Sequence, residues 1–348
     1  MSKIFIPHIY GISLNLINDD ISERLIESHQ VDRSSHQKAE GKDYDLVIQH
    51  YSFDSEKFKF THNKKIVIQP VDGTLIDKKH INDIIKYDLV LTPSENSKKL
   101  LINSGVDSEK VKVVPNYWRK ELLDDCGYFD KIFQNKKYTF YTESSGIRRK
   151  NIKNIIKHFA KTFSSDDDVR LVVKLSGVDD STFYQIKEAL MDFSIYAGDF
   201  TKKIPEIVFI NKVISQEELE SIMNGIDCYL CLSYMEGFCI PLLNAAVLKK
   251  DIITFDSQIS GYTDFLDKEN AILLPVERIP IDREGESLLI YSRDCEWEEP
   301  NYDDYEKALL DCYKKEYKFN KNHDFDKFLK ENIMNQYLDI VNKILEEK

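Results

Sequence analysis

Glu236-Gly237-Phe238-Cys239-Ile240-Pro241 puts a carboxylate, a permissive backbone point and a helix start within one short stretch. Proline suits the first helical turn, where a missing N–H leaves no bond unmade, so a helix is expected to begin near Pro241 or Leu242. Gly237 allows close backbone approach to a ligand. The N–H groups of the loop and helix start lack helical carbonyl partners and suit an oxygen-rich or anionic ligand. Glu236 beside them can accept hydrogen bonds from sugar hydroxyls. The blander alternative is a surface carboxylate stabilising a helix N-terminus. Two other patterns invite a metal reading and are set aside. Cys228 and Cys231 have CxxC spacing, but they lie in the apolar run IDCYLCL with no second CxxC or His pair, so a buried strand is expected. Asp166, Asp167 and Asp168 offer a DxD in a polar stretch before a strand, which reads as a solvated turn.

These residues need elements to hold them. KIFIPHIY, YDLVIQHY, KKIVIQPV, YDLVLTPS and KVKVVPN are compact strand candidates in the first third, apolar on successive positions as doubly covered strands are. Between the last two, Ser94 is placed to cap a helix that Gly105 ends, a strand–helix–strand unit that predicts a parallel sheet. The polar segment 120–136 interrupts the pattern and is the linker candidate. A second series follows: KYTFYTE, VRLVVKLSG, EIVFINKV, IDCYLCLS, DIITFD and NAILLPV, with helical stretches between them. Two amphipathic helices close the chain after about residue 300. The expected class is α/β, with two doubly wound, Rossmann-like domains facing across a cleft, where ligands sit beyond the strand ends.

Length and charge narrow the partners. A chain of 348 residues fits about two domains. With 48 basic against 60 acidic residues the net charge is −12, which argues against a nucleic-acid partner. No apolar run approaches the roughly 20 residues of a membrane span, although peripheral membrane contact through a lipid acceptor stays open. Six cysteines without an export signal suggest reduced thiols and a cytoplasmic setting.

The stretch from Glu218 to Pro275 resembles the donor-binding signature of GT4-type retaining glycosyltransferases with the GT-B fold, glycosyl transferases group 1. Asp227, Ser233, Glu236, Gly237, Phe238, Pro241, Leu242, Gly261 and Pro275 stand in the family's order. Upstream, SSGIRRKNIKNIIKHFAKTF, VRLVVKLSG and VFINKVISQEELESI resemble consecutive donor-domain segments. YDLVLTPSENSKKLLINSGVDSEKVKVVPNYW resembles a first-domain one.

The resemblance implies a donor, a nucleotide-diphosphate sugar, and an acceptor, a glycan or other hydroxyl compound. It implies no cofactor and no metal. Glu236 would lie at the donor sugar, with Phe238, Cys239 and Ile240 offering backbone groups beside Gly237. Lys150 and Arg149 would face the diphosphate, where cations stabilise the charge that develops on the leaving group. Lys174 would be a second-rank cation. Asn211, Lys212 and Val213 would line the base pocket, and Gly11 would approach the diphosphate. His50 and Asp72 would face the acceptor.

The sequence also departs from the family. The second Glu of its E-x7-E motif is Asn244 here, and the Arg expected six residues before Lys150 is Ser144. Cys239 replaces a usual Gly. These departures keep open a non-catalytic partner subunit that binds nucleotide sugars or glycans, and a phosphorylase or epimerase on the same fold. The domains are expected at 1–130 (acceptor side) and 136–318 (donor side), with 319–348 a helix able to pack back onto the first. The expected reaction is hexosyl transfer with retention, by front-face attack assisted by the leaving diphosphate.

Overall fold

Apolar runs covered on both faces become the strands of two parallel sheets. The structure, a computed structural model, describes residues 1–9, 12–52, 60–176, 179, 203–281, 290–292, 294–320 and 322–347. Strands β1 (Lys3–Phe5), β2 (Gln30–Asp32), β3 (Asp43–His50), β4 (Thr61–Ile68), β5 (Leu89–Thr92) and β6 (Val111–Val113) form the first sheet, ordered β2-β1-β3-β4-β5-β6. Strands β7 (Tyr138–Ser144), β8 (Val169–Leu175), β9 (Glu206–Asn211), β10 (Cys228–Leu230), β11 (Asp251–Phe255) and β12 (Ile272–Leu274) form the second, ordered β12-β11-β10-β7-β8-β9. Every pairing within these two sheets is parallel. Both are doubly wound, as expected. In the second sheet the strand order reverses between β7 and β10, the switch point where such folds bind ligands.

The helices follow the sequence signals. Helix α1 (Ile12–Leu25) lies on the first sheet, which is followed by the short α2 (His36–Ala39) and α3 (Lys78–Ile84). Helix α4 (Glu95–Asn103) starts at Ser94, whose hydroxyl accepts from the Ser97 N–H. In the second domain, α6 (Ile152–Thr162) buries Ile152, Ile155, Ile156 and Phe159 at helical spacing. Helix α7 (Gln216–Gly225) opens on a Ser215–Glu218 capping box. Helices α8 (Ile240–Val247) and α9 (Tyr302–Tyr313) complete that domain. Helix α10 (Lys330–Glu346) places Ile333, Met334, Tyr337, Val341 and Ile344 in the core of the first domain, beside Ile17, Ile21 and Leu25 of α1.

Three features differ from the sequence reading. Segment 120–136 is no open linker: it carries a 3-10 turn and helix α5 (Tyr128–Ile132), and Phe133 is buried in the second domain's core. The Ser221 hydroxyl holds it by accepting from the Tyr128 N–H at 2.9 Å. The three-residue β2 had no sequence signal. Nor did an antiparallel ribbon of β13 (Val276–Pro280) and β14 (Glu296–Pro300). This ribbon buries Trp297, which stacks on Tyr234 with ring centroids 4.9 Å apart, directly behind the loop that bears Glu236.

Candidate functional site

A cavity of about 590 Å³ opens between the two sheets, lined from both domains. Its floor is the switch point of the second sheet. The chain leaving β7 supplies Ser144, Arg149 and Lys150, and the chain leaving β10 supplies Ser233, Glu236 and Gly237. The first domain contributes Tyr51, Asp72, Tyr117 and Arg119.

The loop after β10 is fixed before it meets any ligand. The Glu236 N–H donates to the Ser260 hydroxyl at 3.1 Å, and the Glu236 carbonyl accepts from the Gly261 N–H at 2.7 Å. The Gly237 carbonyl accepts from the Ser94 hydroxyl across the domain seam at 2.8 Å. A Cβ on Gly261 would lie 2.0 Å from that carbonyl oxygen, so this loop-to-loop contact requires glycine. Helix α8 begins at Ile240 with Cys239 as its cap, close to the expected start.

Electrostatics organise the side chains. Lys150 Nζ lies 2.5 Å from one Glu236 oxygen, and an Arg149 nitrogen lies 3.4 Å from the other. The same Arg149 nitrogen is 3.2 Å from Asp72 and donates to the Met235 carbonyl at 2.5 Å. Glu236 is buried, which works to raise its pKa, but Lys150 and Arg149 overcome that and hold it at about 2. Burial works equally against the Lys150 charge, and Glu236 more than offsets it, so its pKa is raised. Two carboxylates and two cations therefore meet as a charge-balanced chain across the cleft: Lys150, Glu236, Arg149, Asp72. Such a set can accept hydroxyl hydrogen bonds at its carboxylates and offer cations to an anionic leaving group.

The structure brings together Glu236, Lys150, Arg149, Gly237, Phe238, Cys239, Ile240, Asn244 and Asp72, all of which line the cavity. The other expected residues among those described do not line it. His50 ends β3 buried to 4% exposure, with its Nδ1 2.7 Å from Asn18 Oδ1, and it does not line the cavity. Burial, with the Arg33 charge, drives its pKa down to about 3, so it is a neutral core histidine. Lys174 is the next-to-last residue of β8, with Nζ donating to the Leu175 carbonyl, and burial lowers its pKa. Asn211 ends β9, the edge strand two positions from the switch point, Lys212 and Val213 follow it, and Val213 is 68% exposed. Gly11 lies outside the described residues. The DxD turn is closed on itself, with Asp167 accepting from the Ser164 N–H and hydroxyl.

Several lining residues were missed by sequence reasoning, three of them titratable groups with shifted pKa values. Tyr291 donates its hydroxyl to Asp72, and burial raises its pKa. Tyr51 borders the same carboxylate, and its pKa is also raised by burial. Glu143, in β7, is half-buried, desolvation raises its pKa, and it accepts from the Tyr141 hydroxyl at 2.8 Å. None of these sits in a motif; only the end-of-strand position of Glu143 could have marked it.

Comparison with known proteins agrees with this layout. Residues 129–278 match the family described as Glycosyl transferases group 1. No curated protein sequence matches the chain. Among solved structures, the fold is similar to sucrose-phosphate synthase from Thermosynechococcus elongatus, with TM-score 0.72 and 11% identity over 100% of both chains. It is also similar to Anabaena HepE in complex with UDP and glucose (TM-score 0.67, 12% identity, 99% of this chain and 100% of that one). A third similar structure is the apo form of the lipopolysaccharide outer core galactosyltransferase WaaB (TM-score 0.63, 14% identity, 99% and 100%). At such identities the likeness is one of fold. Residues 129–278 therefore carry the match to the group 1 glycosyltransferases, and the whole chain has a GT-B fold of two Rossmann-like domains.

Proposed function

We propose that the chain transfers a hexosyl group from a nucleotide-diphosphate sugar to an acceptor hydroxyl, with retention at the anomeric carbon. One observation carries this reading: the Glu236 carboxylate is held between Lys150 and Arg149 inside a cavity shared by both domains. The volume falls within the roughly 300–1,000 Å³ of small-ligand sites. Sugar hydroxyls donating to Glu236 would compete with Lys150 for its oxygens and release that ammonium toward the diphosphate. Arg149 would stay bridged to Asp72 and add its charge on the same side. As the glycosyl–oxygen bond breaks, the two cations stabilise the departing diphosphate, and the closed cleft keeps water from the reacting carbon. No metal is required in this scheme, because the cations are the protein's own. HepE, crystallised with UDP and glucose, supports a uridine nucleotide as the first donor to try. The cytoplasmic setting belongs to the same reading, and all six cysteines are free thiols.

The test is a panel of UDP-, GDP- and ADP-sugars, scored for binding and then for hydrolysis or transfer. Turnover should fall by about 100-fold or more in Glu236→Gln and in Lys150→Ala. Unchanged turnover in both would remove these roles. Asn244 lines the cavity where the resembled motif has a second Glu, which favours a second reading, a binding subunit without catalysis. Tight nucleotide-sugar binding with no turnover under any acceptor would select it.

A further inference from the structure

Two thiols that the transfer chemistry leaves unused sit directly against Glu236. Cys231 follows β10 and Cys239 caps α8, and the intervening loop folds their Sγ atoms to 3.9 Å apart. One ligand atom each from Cys231, Glu236 and Cys239 lies within 4.8 Å of the other two, and all three residues line the cavity. Cys239 holds a left-handed backbone, φ 70°, which glycine would adopt without strain.

Two sulfurs and a carboxylate oxygen are the donor set of a borderline-soft divalent cation. Zinc–sulfur bonds of about 2.3 Å at tetrahedral angles place two sulfurs about 3.8 Å apart. The observed 3.9 Å already meets that spacing. A disulfide, at about 2.0 Å, would require the sulfurs to close by nearly half. Three protein ligands would leave a fourth position facing the cavity, as in open zinc sites.

We propose that Cys231, Glu236 and Cys239 form an inhibitory site for a thiophilic divalent cation of the zinc class. The cation displaces Lys150 from Glu236 and releases the thiol protons to solvent; nothing is oxidised or reduced. A metal-bound Glu236 no longer accepts from sugar hydroxyls, so cation and donor exclude one another. That exclusion rests on the role proposed above for Glu236, whereas cation binding does not.

Cobalt(II) is the probe, added to metal-free protein in a Cys126→Ser background that removes the exposed thiol. One equivalent should bind with a near-ultraviolet thiolate-to-cobalt charge-transfer band that zinc abolishes. Cys231→Ser and Cys239→Ser should each weaken zinc binding at least tenfold and diminish the band. Either variant suffices should the other fail to fold. Lys150→Ala should tighten binding by removing the competing cation. Absence of the band, or zinc affinity unchanged from wild type in both serine variants, would overturn the site. Zinc that binds without weakening UDP-sugar binding would overturn its inhibitory role. Turnover of chelator-treated protein tests the transferase reading separately.

Discussion

Glu236 is an anion with only 6% exposure, a state that burial alone would forbid. Its partners decide the matter, and the same partners are what a diphosphate would recruit, so site chemistry and site stability are one network. His50 shows the opposite solution, a titratable group buried neutral. Its folded pKa of about 3 lies below the ordinary value near 6.5, so between those pH values the unfolded chain binds the extra proton. Stability must therefore drop as pH falls from about 6.5 toward 3, by about 1.4 kcal/mol per unit from this group. Denaturant titrations at pH 6.5, 5.5 and 4.5 should show a shallower decline in His50→Gln, and equal slopes would contradict the burial argument. The sequence showed Glu236 and Gly237 plainly, because a carboxylate before a glycine and a Pro-led helix has few purposes. It could not place His50, since a histidine ending a strand reads the same whether it faces a cleft or a neighbouring helix.

At the level of elements, the decisive contact is the meeting of the Gly237 and Gly261 loops under Ser94. Ser94 caps α4 and also donates to the Gly237 carbonyl, so the same hydroxyl that helps start a first-domain helix positions a second-domain loop. Gly261→Ala would put a Cβ 2.0 Å from the Gly237 oxygen and 2.5 Å from the Ser94 hydroxyl. Overpacking of this kind destabilises by about 1–3 kcal/mol, and donor binding should weaken with it. Urea unfolding and calorimetric titration with a UDP-sugar would check both; unchanged values would mean the loops yield freely. Strands and long helices were legible because their apolar spacing repeats. The β13–β14 ribbon was not, because EWEEP is mostly polar, VERIP has Glu and Arg side by side, and the two lie far apart in sequence, so neither alternation nor a turn signal joined them. Segment 120–136 misled for a related reason: its charge hides Phe129 and Phe133, which pack inward.

Across the whole molecule, two further ties between the domains add to the Ser94–Gly237 contact. Helix α10 returns to the first domain, where Lys330 pairs with Asp20 at 2.6 Å and the Arg119 and Tyr117 side chains donate to the same carboxylate. The Trp118 and Phe328 backbones meet alongside, at 3.0 Å. Deleting 330–348 should expose the apolar faces of α1 and β1 while leaving the donor-side core intact. Hydrogen exchange is therefore expected to rise in 1–117 far more than in 138–275, and a uniform rise would contradict this division. The second tie is the Arg149–Asp72–Tyr291 cluster, which closes the cleft over Glu236. The central claim is that Glu236 receives the sugar while Lys150 and Arg149 receive its diphosphate. A crystal structure of the protein soaked with the UDP-sugar it binds best tests this most directly. The account predicts sugar hydroxyls within hydrogen-bond distance of Glu236 and phosphate oxygens on Lys150 Nζ and the Arg149 guanidinium. A donor seated elsewhere, with the Lys150–Glu236 ion pair intact, would contradict it.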